Sequence, residues 1–444
     1  MESLDGWIER QYRHSASALQ RSVSPLKIVK QRPGFAQTIV PRKGAIVASP
    51  VLGSYDPDPD YFFHWYRDSA LALEALRVLF EDPRAAQDSL THFADFVHFS
   101  LSLHELDGRA LSDSQGWRDA TAPDFRKFLR SNEDLAAVHG DAVGAETRVN
   151  PDGTLDISSW PRPQNDGPAL RALSVLRWLP HIGANAELGS AAGALLRSDL
   201  TFTRAHWRES CFDIWEEEKG LHYYTLRVAA AALEGGAEWF AQQGDGPAAA
   251  ACRADTLQIL GKLDGYWRQD QQFYRSRILD LNATSAKELD ISVIMAALHS
   301  AASGDTHSVH DPRMHATLAR LETLFDAEYA INRDRVANRA PAMGRYAKDV
   351  YYSGGAYYFS TLAAAEFCFR AAARTPAAGL PAARALIEHG DAFLETVRAF
   401  TPPSGDLSEQ FDQRTGEQRS AAQLAWSYAA FITCSAARRH AMRG

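Results

Sequence analysis

Two adjacent glutamates beside a tryptophan are the residues of this chain best suited to acid chemistry. The tripeptide Trp215-Glu216-Glu217 lies in segment 211–220, directly before a tyrosine pair at positions 223 and 224. An indole ring can stack on the C–H face of a pyranose, and a carboxyl group can protonate a glycosidic oxygen. A charged run alone more often forms a solvated helix end, so this interpretation needs support from elsewhere in the chain.

A second carboxylate of interest, Glu409, lies far along the chain in segment 405–412, which the sequence predicts as a loop or short strand. Alone it would be read as a solvated loop carboxylate. A hydrolase that uses two carboxylates needs its second one on a separate loop, and Glu409 meets that requirement.

Segment 60–69 brings sugar-binding chemistry to the entrance of a predicted helix. Arg67 offers a donor fork, Asp68 offers an acceptor, and Tyr61 and Trp65 offer aromatic faces. Sugar hydroxyls need paired donors and acceptors, so these residues predict a binding site. Asp68 would also suit the N-cap of the helix, and that alternative stays open.

Two further blocks carry exposed aromatic residues on predicted loops. Trp160 follows Ser159 in a proline-rich loop that leads to a helix start at Asp166-Gly167-Pro168, and it suits a binding platform better than a core. Segment 344–355 combines Arg345 with several tyrosines; some of these would simply pack the loop.

Helical periodicity dominates the chain and predicts an all-α fold. Apolar residues recur at three- and four-residue spacing. The predicted helices cover 3–20, 69–80, 85–103, 168–179, 187–208, 224–243, 248–266, 286–302, 314–329, 356–373, 382–400 and 419–442. Strands are expected at most in 27–40, 45–52 and 145–155. About twelve helices paired as hairpins favour a closed α/α barrel or an α-solenoid, with the long loops 107–166, 278–285, 332–355 and 401–418 at one mouth of the barrel.

Composition excludes several classes of protein. The chain has 444 residues, 45% of them hydrophobic, and a formal charge of -8, which argues against nucleic-acid binding. No run approaches the roughly 20 apolar residues of a membrane span. The four cysteines form no CxxC pair, and P-loop, GxGxxG, HExxH and GxSxG motifs do not occur, so neither a metal nor a cofactor is predicted.

Five blocks in this order resemble the glucoamylase-type glycoside hydrolases of family 15. They are segment 60–69, segment 159–168 with its continuation to Arg171 (Arg162-Pro-Gln-Asn-Asp-Gly-Pro-Ala-Leu-Arg171), the Trp-Glu-Glu block, segment 344–355, and Leu407-Ser-Glu-Gln-Phe-Asp412 with residues 416–430. Each block alone would be weak, whereas five in order are specific. They extend from about Tyr61 to Tyr428 and so cover most of the chain.

The resemblance implies an (α/α)6 barrel of about twelve helices and an inverting exo-acting α-glucosidase that releases β-D-glucose from non-reducing ends of α-1,4-linked maltooligosaccharides or glucans. It implies Glu216 as general acid and Glu409 as general base, whose carboxyl groups would lie roughly 6.5–9.5 Å apart. The substrate-binding residues it implies are Tyr61, Trp65, Arg67, Asp68, Trp160, Arg162, Trp215, Glu217, Arg345, Tyr346, Tyr351 and Trp426.

Departures from the family pattern leave the linkage preference open. Tyr346-Ala-Lys-Asp349 stands where the family typically has a Pro-Glu pair, and Tyr357 stands where a tryptophan is common. An enzyme specific for α-1,6 linkages or trehalose is therefore the alternative. A phosphorylase, which would leave Glu409 without a purpose, and an inactive sugar-binding protein are the remaining ones.

The sequence also indicates how the chain is organised and where it is located. The sequence predicts one catalytic domain over 1–444, with neither a starch-binding module nor an N-terminal β-domain, which favours soluble maltooligosaccharides over starch granules. A monomer without nucleic-acid or membrane partners is expected. The N-terminus lacks the pattern of a secretory signal, so the cytoplasm is expected unless a signal was removed.

Overall fold

A computed structural model describes residues 2–443 except 54–57, 84–88, 115, 302–303, 334, 337, 353 and 375–379. Twelve helices of nine residues or more and three five-residue helices are found within these ranges. In chain order they are α1 (Leu4–Ser22), α2 (Tyr66–Glu81), α3 (Ser89–Ser102), α4 (Arg109–Asp113), α5 (Gly116–Ala120), α6 (Asn132–Ala136), α7 (Asp166–Trp178), α8 (Ala186–His206), α9 (Tyr223–Gln242), α10 (Gly246–Leu263), α11 (Ser292–Ser300), α12 (Pro312–Glu328), α13 (Tyr358–Ala373), α14 (Leu380–Phe400) and α15 (Ala425–Ala441).

Six of the long helices form a closed inner ring. Helix α2 packs on α7, α7 on α9, α9 on α11, α11 on α13, α13 on α15, and α15 returns to α2. Each inner helix also packs against an outer one: α3, α8, α10, α12 and α14 follow their inner partners, and α1 covers α15. The first and last helices thus complete the sixth pair, and the prediction of an (α/α)6 barrel of about twelve helices is confirmed.

Sequence explains which helices lie inside. The inner helices α9 and α13 are rich in alanine and buried over nearly their whole length, so they are apolar all round. The outer helices α1 and α14 bury only one face and expose charged residues on the other, the amphipathic pattern of a covering layer.

Short strands connect the loops at one end of the barrel. They are β1 (Lys30–Arg32), β2 (Gln37–Ile39), β3 (His64–Trp65), β4 (Arg148–Val149), β5 (Cys211–Phe212), β6 (Lys219–His222), β7 (Trp267–Arg268), β8 (Phe273–Tyr274), β9 (Arg277–Leu279), β10 (Ala356–Tyr357), β11 (Gln410–Phe411) and β12 (Gln418–Arg419). All pairings are antiparallel: β1 with β2, β3 with β4, β6 with both β5 and β9, β7 with β8, and β11 with both β10 and β12. Strands β3, β6 and β10 run directly into α2, α9 and α13, so they fix where these inner helices begin.

Several predicted bounds were wrong. The helix predicted over 286–302 begins only at Ser292, and the one over 419–442 begins at Ala425, because β12 and a turn occupy 418–424. No strand forms in the described part of 45–52; Ile46 makes a single bridge to Val23. The predicted loop 107–166 contains α4, α5 and α6, and the first residues of the predicted helix 85–103 lie outside the described residues.

Three general features bear on function. None of the described helices has the length and apolar content needed to cross a bilayer. The described residues contain no group of three or more His, Cys, Asp or Glu side chains that could hold a metal ion. The four cysteines are free and buried.

Candidate active site

A cavity of about 200 Å³ lies at the end of the barrel where α2, α13 and α15 begin. Side chains from the first turns of these helices line it, together with residues of the loops 211–222, 344–355 and 405–424. The predicted residues that it brings together are Tyr61, Trp65, Arg67, Asp68, Trp160, Trp215, Glu216, Glu217, Arg345, Tyr351, Glu409 and Trp426. Five sequence blocks therefore meet in one cavity.

Three donors converge on the carboxylate of Glu216. Its Oε1 accepts from the indole Nε1 of Trp65 at 2.9 Å and from the guanidinium of Arg67 at 3.2 Å. Its Oε2 accepts from the indole Nε1 of Trp160 at 2.5 Å. The side chain is only 9% exposed, so its position is fixed before any ligand arrives.

The turn that carries Glu216 is strained and is held by a buried carboxylate. Glu216 has φ of 64°, a left-handed conformation that a non-glycine residue adopts only when its surroundings impose it. The carboxylate of Asp213 accepts from the backbone N–H groups of Trp215, Glu217 and Glu218, and it is paired with Arg277 at 2.7 Å. Asp213 is thus the residue that keeps the turn closed between β5 and β6.

Glu409 precedes β11 and projects into the same cavity from the other side of the barrel mouth. Ser420 donates its hydroxyl to Oε2, and the Tyr61 hydroxyl lies 3.5 Å from Oε1. Burial raises the pKa of Glu409 to about 7, although the Ser420 hydrogen bond and the charge of Arg345 oppose the shift. Glu409 therefore exchanges its proton near neutral pH, as a general base requires.

Arg67 and Asp68 form a charged pair in the first turn of α2. The Arg67 guanidinium also donates to the backbone carbonyl of Ile214 at 2.7 Å, so it fastens the Glu216 turn to the helix. Burial raises the pKa of Asp68, while Arg67 opposes the shift. Asp68 is not the N-cap of α2, because Trp65 occupies that position and the helix has no side-chain cap.

Glu217 belongs to a polar rim of the cavity. Its carboxylate accepts from Lys287 at 2.6 Å, from the Tyr346 hydroxyl at 2.6 Å and from Arg345 at 3.0 Å. Burial acts to raise its pKa, but the two cations and the phenol outweigh burial and lower it. Because its pKa is lowered, Glu217 is an ionised acceptor at neutral pH. Arg345 is held in place by Asp349 at 2.6 Å.

Aromatic rings form much of the remaining wall. The rings of Trp215, Phe359 and Trp426 stack nearly parallel to one another. The ring centroids of Phe359 and Trp426 are 4.3 Å apart, and the angle between the two ring planes is 6°. The hydroxyls of Tyr61 and Tyr351 are 2.7 Å apart. Burial and the charge of Glu409 raise the pKa of Tyr61 well above its usual value, so the phenol stays protonated.

Two predicted substrate-binding residues lie outside the described wall of the cavity. Arg162 is bonded to Glu146 at 2.8 Å, to Asp156 at 3.2 Å and to the backbone carbonyl of Trp160 at 2.8 Å, so it positions the Trp160 loop. Tyr346 reaches the site through hydrogen bonds with Glu217 and Arg345. A direct substrate contact of Arg162 would have to replace these bonds.

Sequence reasoning missed several supporting residues. Ser420 contacts Glu409 because β11 and β12 form a hairpin, and the Thr415-Gly416 turn between the strands is the signal that could have revealed it. Lys287 comes from a segment that was predicted as helix. Asp290, which accepts from the Trp215 indole at 2.9 Å, had no signal in the sequence.

The arrangement places the carboxyl groups of Glu216 and Glu409 in one cavity, the first held by indole and guanidinium donors and the second by hydroxyls. The cavity has room for a small ring, and Arg67, Asp68, Glu217 and Arg345 offer both donors and acceptors to hydroxyl groups. Such a site can donate a proton to one atom and accept a proton from water at another.

Comparison with known proteins gives a consistent result. The family described as Glycosyl hydrolases family 15 matches residues 145–383 and 376–436. A probable glucoamylase from Schizosaccharomyces pombe is 28% identical over 439 residues, which cover 90% of this chain and 86% of that protein. A glucoamylase from Neurospora crassa is 28% identical over 433 residues, which cover 89% of this chain and 63% of that protein. The solved family 15 glucoamylase from Hypocrea jecorina has the same fold, with a TM-score of 0.80 at 24% identity, and covers 98% of this chain and 72% of that one.

The closed ring of six helix pairs, with its loops gathered around one cavity, defines the class as an α/α-barrel glycoside hydrolase. The family match covers more than half of the sequence. The chain belongs to glycosyl hydrolases family 15.

Proposed function

We propose that the protein is an inverting, exo-acting α-glucosidase of the glucoamylase type, which releases β-D-glucose from the non-reducing ends of α-1,4-linked maltooligosaccharides or glucans. The observation that carries the proposal is that Glu216 and Glu409, far apart in sequence, line one small cavity together with Arg67 and Asp68. The glucoamylase names of the relatives support the choice of α-1,4 linkages.

The terminal glucose occupies the cavity, and its hydroxyls bind Arg67 and Asp68. Glu216, in its protonated form, transfers its proton to the glycosidic oxygen as the bond from that oxygen to C1 breaks. Glu409, ionised, takes a proton from a water molecule whose oxygen bonds to C1 on the opposite face. The products are β-D-glucose and a chain one unit shorter, and proton exchange with solvent restores both carboxyl groups.

The size of the cavity and its polar rim support an exo mode of action. The volume of about 200 Å³ suits one sugar unit more than an extended chain. The next unit would meet Glu217 and Arg345, whose charges are held by Lys287 and Asp349. In this proposal residues 1–444 act as one catalytic domain. The protein acts as a monomer, and light scattering would measure its mass in solution.

A panel of maltose, maltotriose, isomaltose, dextran and trehalose tests the substrate class. We expect glucose from maltose and maltotriose at much higher kcat/KM than from the other three. Preference for isomaltose or trehalose would overturn the α-1,4 assignment, and a lack of glucose release from every substrate would overturn the proposed activity.

A further inference from the structure

A second cavity opens beside the catalytic one and shares part of its wall. Its volume is about 610 Å³, three times that of the catalytic cavity. Tyr61, Trp160 and Tyr351 line both cavities. The second one is called the side cavity below. A volume in this range holds a ligand larger than one sugar ring.

The shared wall brings the side cavity close to the bond that is cleaved. Trp160 donates its indole N–H to Oε2 of Glu216. The carboxyl group of Glu216 is the one that would protonate the glycosidic oxygen. The ring of the same tryptophan lines the side cavity. A group attached to the glycosidic oxygen would therefore lie close to Trp160 and to the side cavity while the glucose ring stays in the catalytic cavity.

Phenylalanine rings form the far wall of the side cavity. Phe35 comes from the turn between β1 and β2, and Phe125 and Phe128 come from segment 123–128, which precedes the Trp160 loop. Phe125 packs edge-on against Phe35 at 5.3 Å and against Phe128 at 6.3 Å. Phe128 is 49% exposed, so a ligand in the side cavity could cover part of its ring.

The charged residues of the side cavity are bonded to one another. Arg32 is paired with Asp60 at 2.6 Å, and Lys30 lies 3.5 Å from the same carboxylate. Arg148 is paired with Asp156 at 2.8 Å and lies 3.7 Å from the Trp160 ring centroid. These pairs leave mainly apolar ring surface for a ligand. The opposite rim of the catalytic cavity, around Glu217, is polar and suits a sugar.

We propose that the side cavity receives an apolar leaving group, the alkyl or aryl group of an α-D-glucoside, while the glucose binds in the catalytic cavity. This inference rests on the proposed function. The chemistry stays the same hydrolysis: the bond between C1 and the glycosidic oxygen breaks, water supplies the new hydroxyl on C1, and the proton of Glu216 goes to the departing alcohol. The enzyme would thus accept two kinds of leaving group, a sugar at the polar rim around Glu217 and an apolar chain in the side cavity.

The test compares methyl, butyl and octyl α-D-glucosides below their micelle-forming concentrations, with maltose as reference. Each buried methylene can raise kcat/KM by up to about fourfold, so we expect octyl glucoside to exceed methyl glucoside at least tenfold. Equal kcat/KM for the three glucosides, with maltose still hydrolysed, would overturn this inference alone. Failure to hydrolyse maltose as well would overturn the proposed function itself.

Two variants locate the effect. Phe128→Ser and Phe125→Ser should each lower the octyl-to-methyl ratio at least threefold, since each removes ring surface from the far wall. Leu257→Ser is the matched control, because Leu257 is a 71% exposed apolar residue on α10, outside the side cavity, and the ratio should not change. An unchanged ratio in both phenylalanine variants, with thermal unfolding as in the wild type, would contradict the assignment of the side cavity.

Discussion

The indole N–H of Trp160 lies 2.5 Å from Oε2 of Glu216, so a residue on the proline-rich loop before α7 holds the candidate acid on the hairpin before α9. The two residues are far apart in sequence, and each looked like a separate binding feature. Their contact makes Trp160 part of the acid's environment as well as a wall of the cavity. The same indole also borders the side cavity, so it connects acid catalysis with the choice of leaving group.

Removing that donor tests its part in catalysis. Trp160→Phe keeps an aromatic ring and deletes the N–H that would stabilise the Glu216 carboxylate as its proton leaves. We expect kcat on maltose to fall roughly 10- to 100-fold, the range for one hydrogen bond to a charged group. Steady-state kinetics would separate kcat from KM. Trp267→Phe is the control, because that indole bonds only Gln269 near the surface. Unchanged kcat in Trp160→Phe would contradict the role assigned to the contact.

Ser420 should set the acid limb of the pH profile. Its hydroxyl donates to Glu409 and lowers the pKa of that carboxyl, which burial raises to about 7. The base works only when ionised, so kcat/KM should fall as the pH drops through about 7. In Ser420→Ala the pKa rises further, and the limb should move to higher pH.

The measurement is kcat/KM for maltose between pH 4 and 9. Ser102→Ala, which removes a hydroxyl bonded to the carbonyl of Phe99 on α3, should leave the profile unchanged. A limb that moves to lower pH in Ser420→Ala would show that Glu409 is not the ionising group.

Glu409 should also make stability depend on pH. Its folded-state pKa is raised above the ordinary value of 4.5, so the neutral form favours folding below about pH 4.5 and this contribution is lost as the pH rises through about 7. The full pKa shift corresponds to about 3 kcal/mol in the free energy of unfolding. Glu409→Gln cannot ionise, so its melting temperature should exceed that of the wild type by a few degrees at pH 8 and by little at pH 4.

Thermal unfolding followed by circular dichroism at both pH values provides the check. Glu417→Gln is a control, because Glu417 is a mostly exposed carboxylate on the same hairpin. A melting-temperature difference between Glu409→Gln and the wild type that is independent of pH would contradict a buried carboxyl titrating near neutrality.

Asp213 should be needed to keep the Glu216 turn closed. Asp213→Asn removes one of the three carboxylates paired with Arg277 and weakens the bonds to three backbone N–H groups. We expect a loss of stability of about 1–3 kcal/mol, the range for buried hydrogen-bonding groups that lose a good partner, together with a lower kcat. Denaturant unfolding and maltose kinetics measure both effects, with the exposed Asp107→Asn as control. Wild-type stability and kcat in Asp213→Asn would show that the turn holds without it.

Local sequence patterns predicted the helices well because apolar periodicity directly reflects burial on one face. They failed at 286–291 and 419–424, where the buried apolar residues Ile291, Ala421 and Leu424 lie in turns or irregular backbone, because the core accepts them in any backbone conformation. The order of the sequence blocks predicted the residues that line the cavity. It did not predict Lys287 or Asp290, whose contacts with Glu217 and Trp215 depend on how separate loops meet. Arg162 was assigned to substrate because its bonds to Glu146 and Asp156 could not be seen in the sequence.

We infer that Glu216 and Glu409 act as acid and base on opposite faces of the sugar. Proton NMR of the glucose first released from maltotriose, whose reducing-end unit stays in the maltose product, tests this, with Glu216→Gln and Glu409→Gln as paired variants. We expect β-D-glucose from the wild type and almost no glucose from either folded variant. Release of α-D-glucose, or full activity in either variant, would contradict this inference.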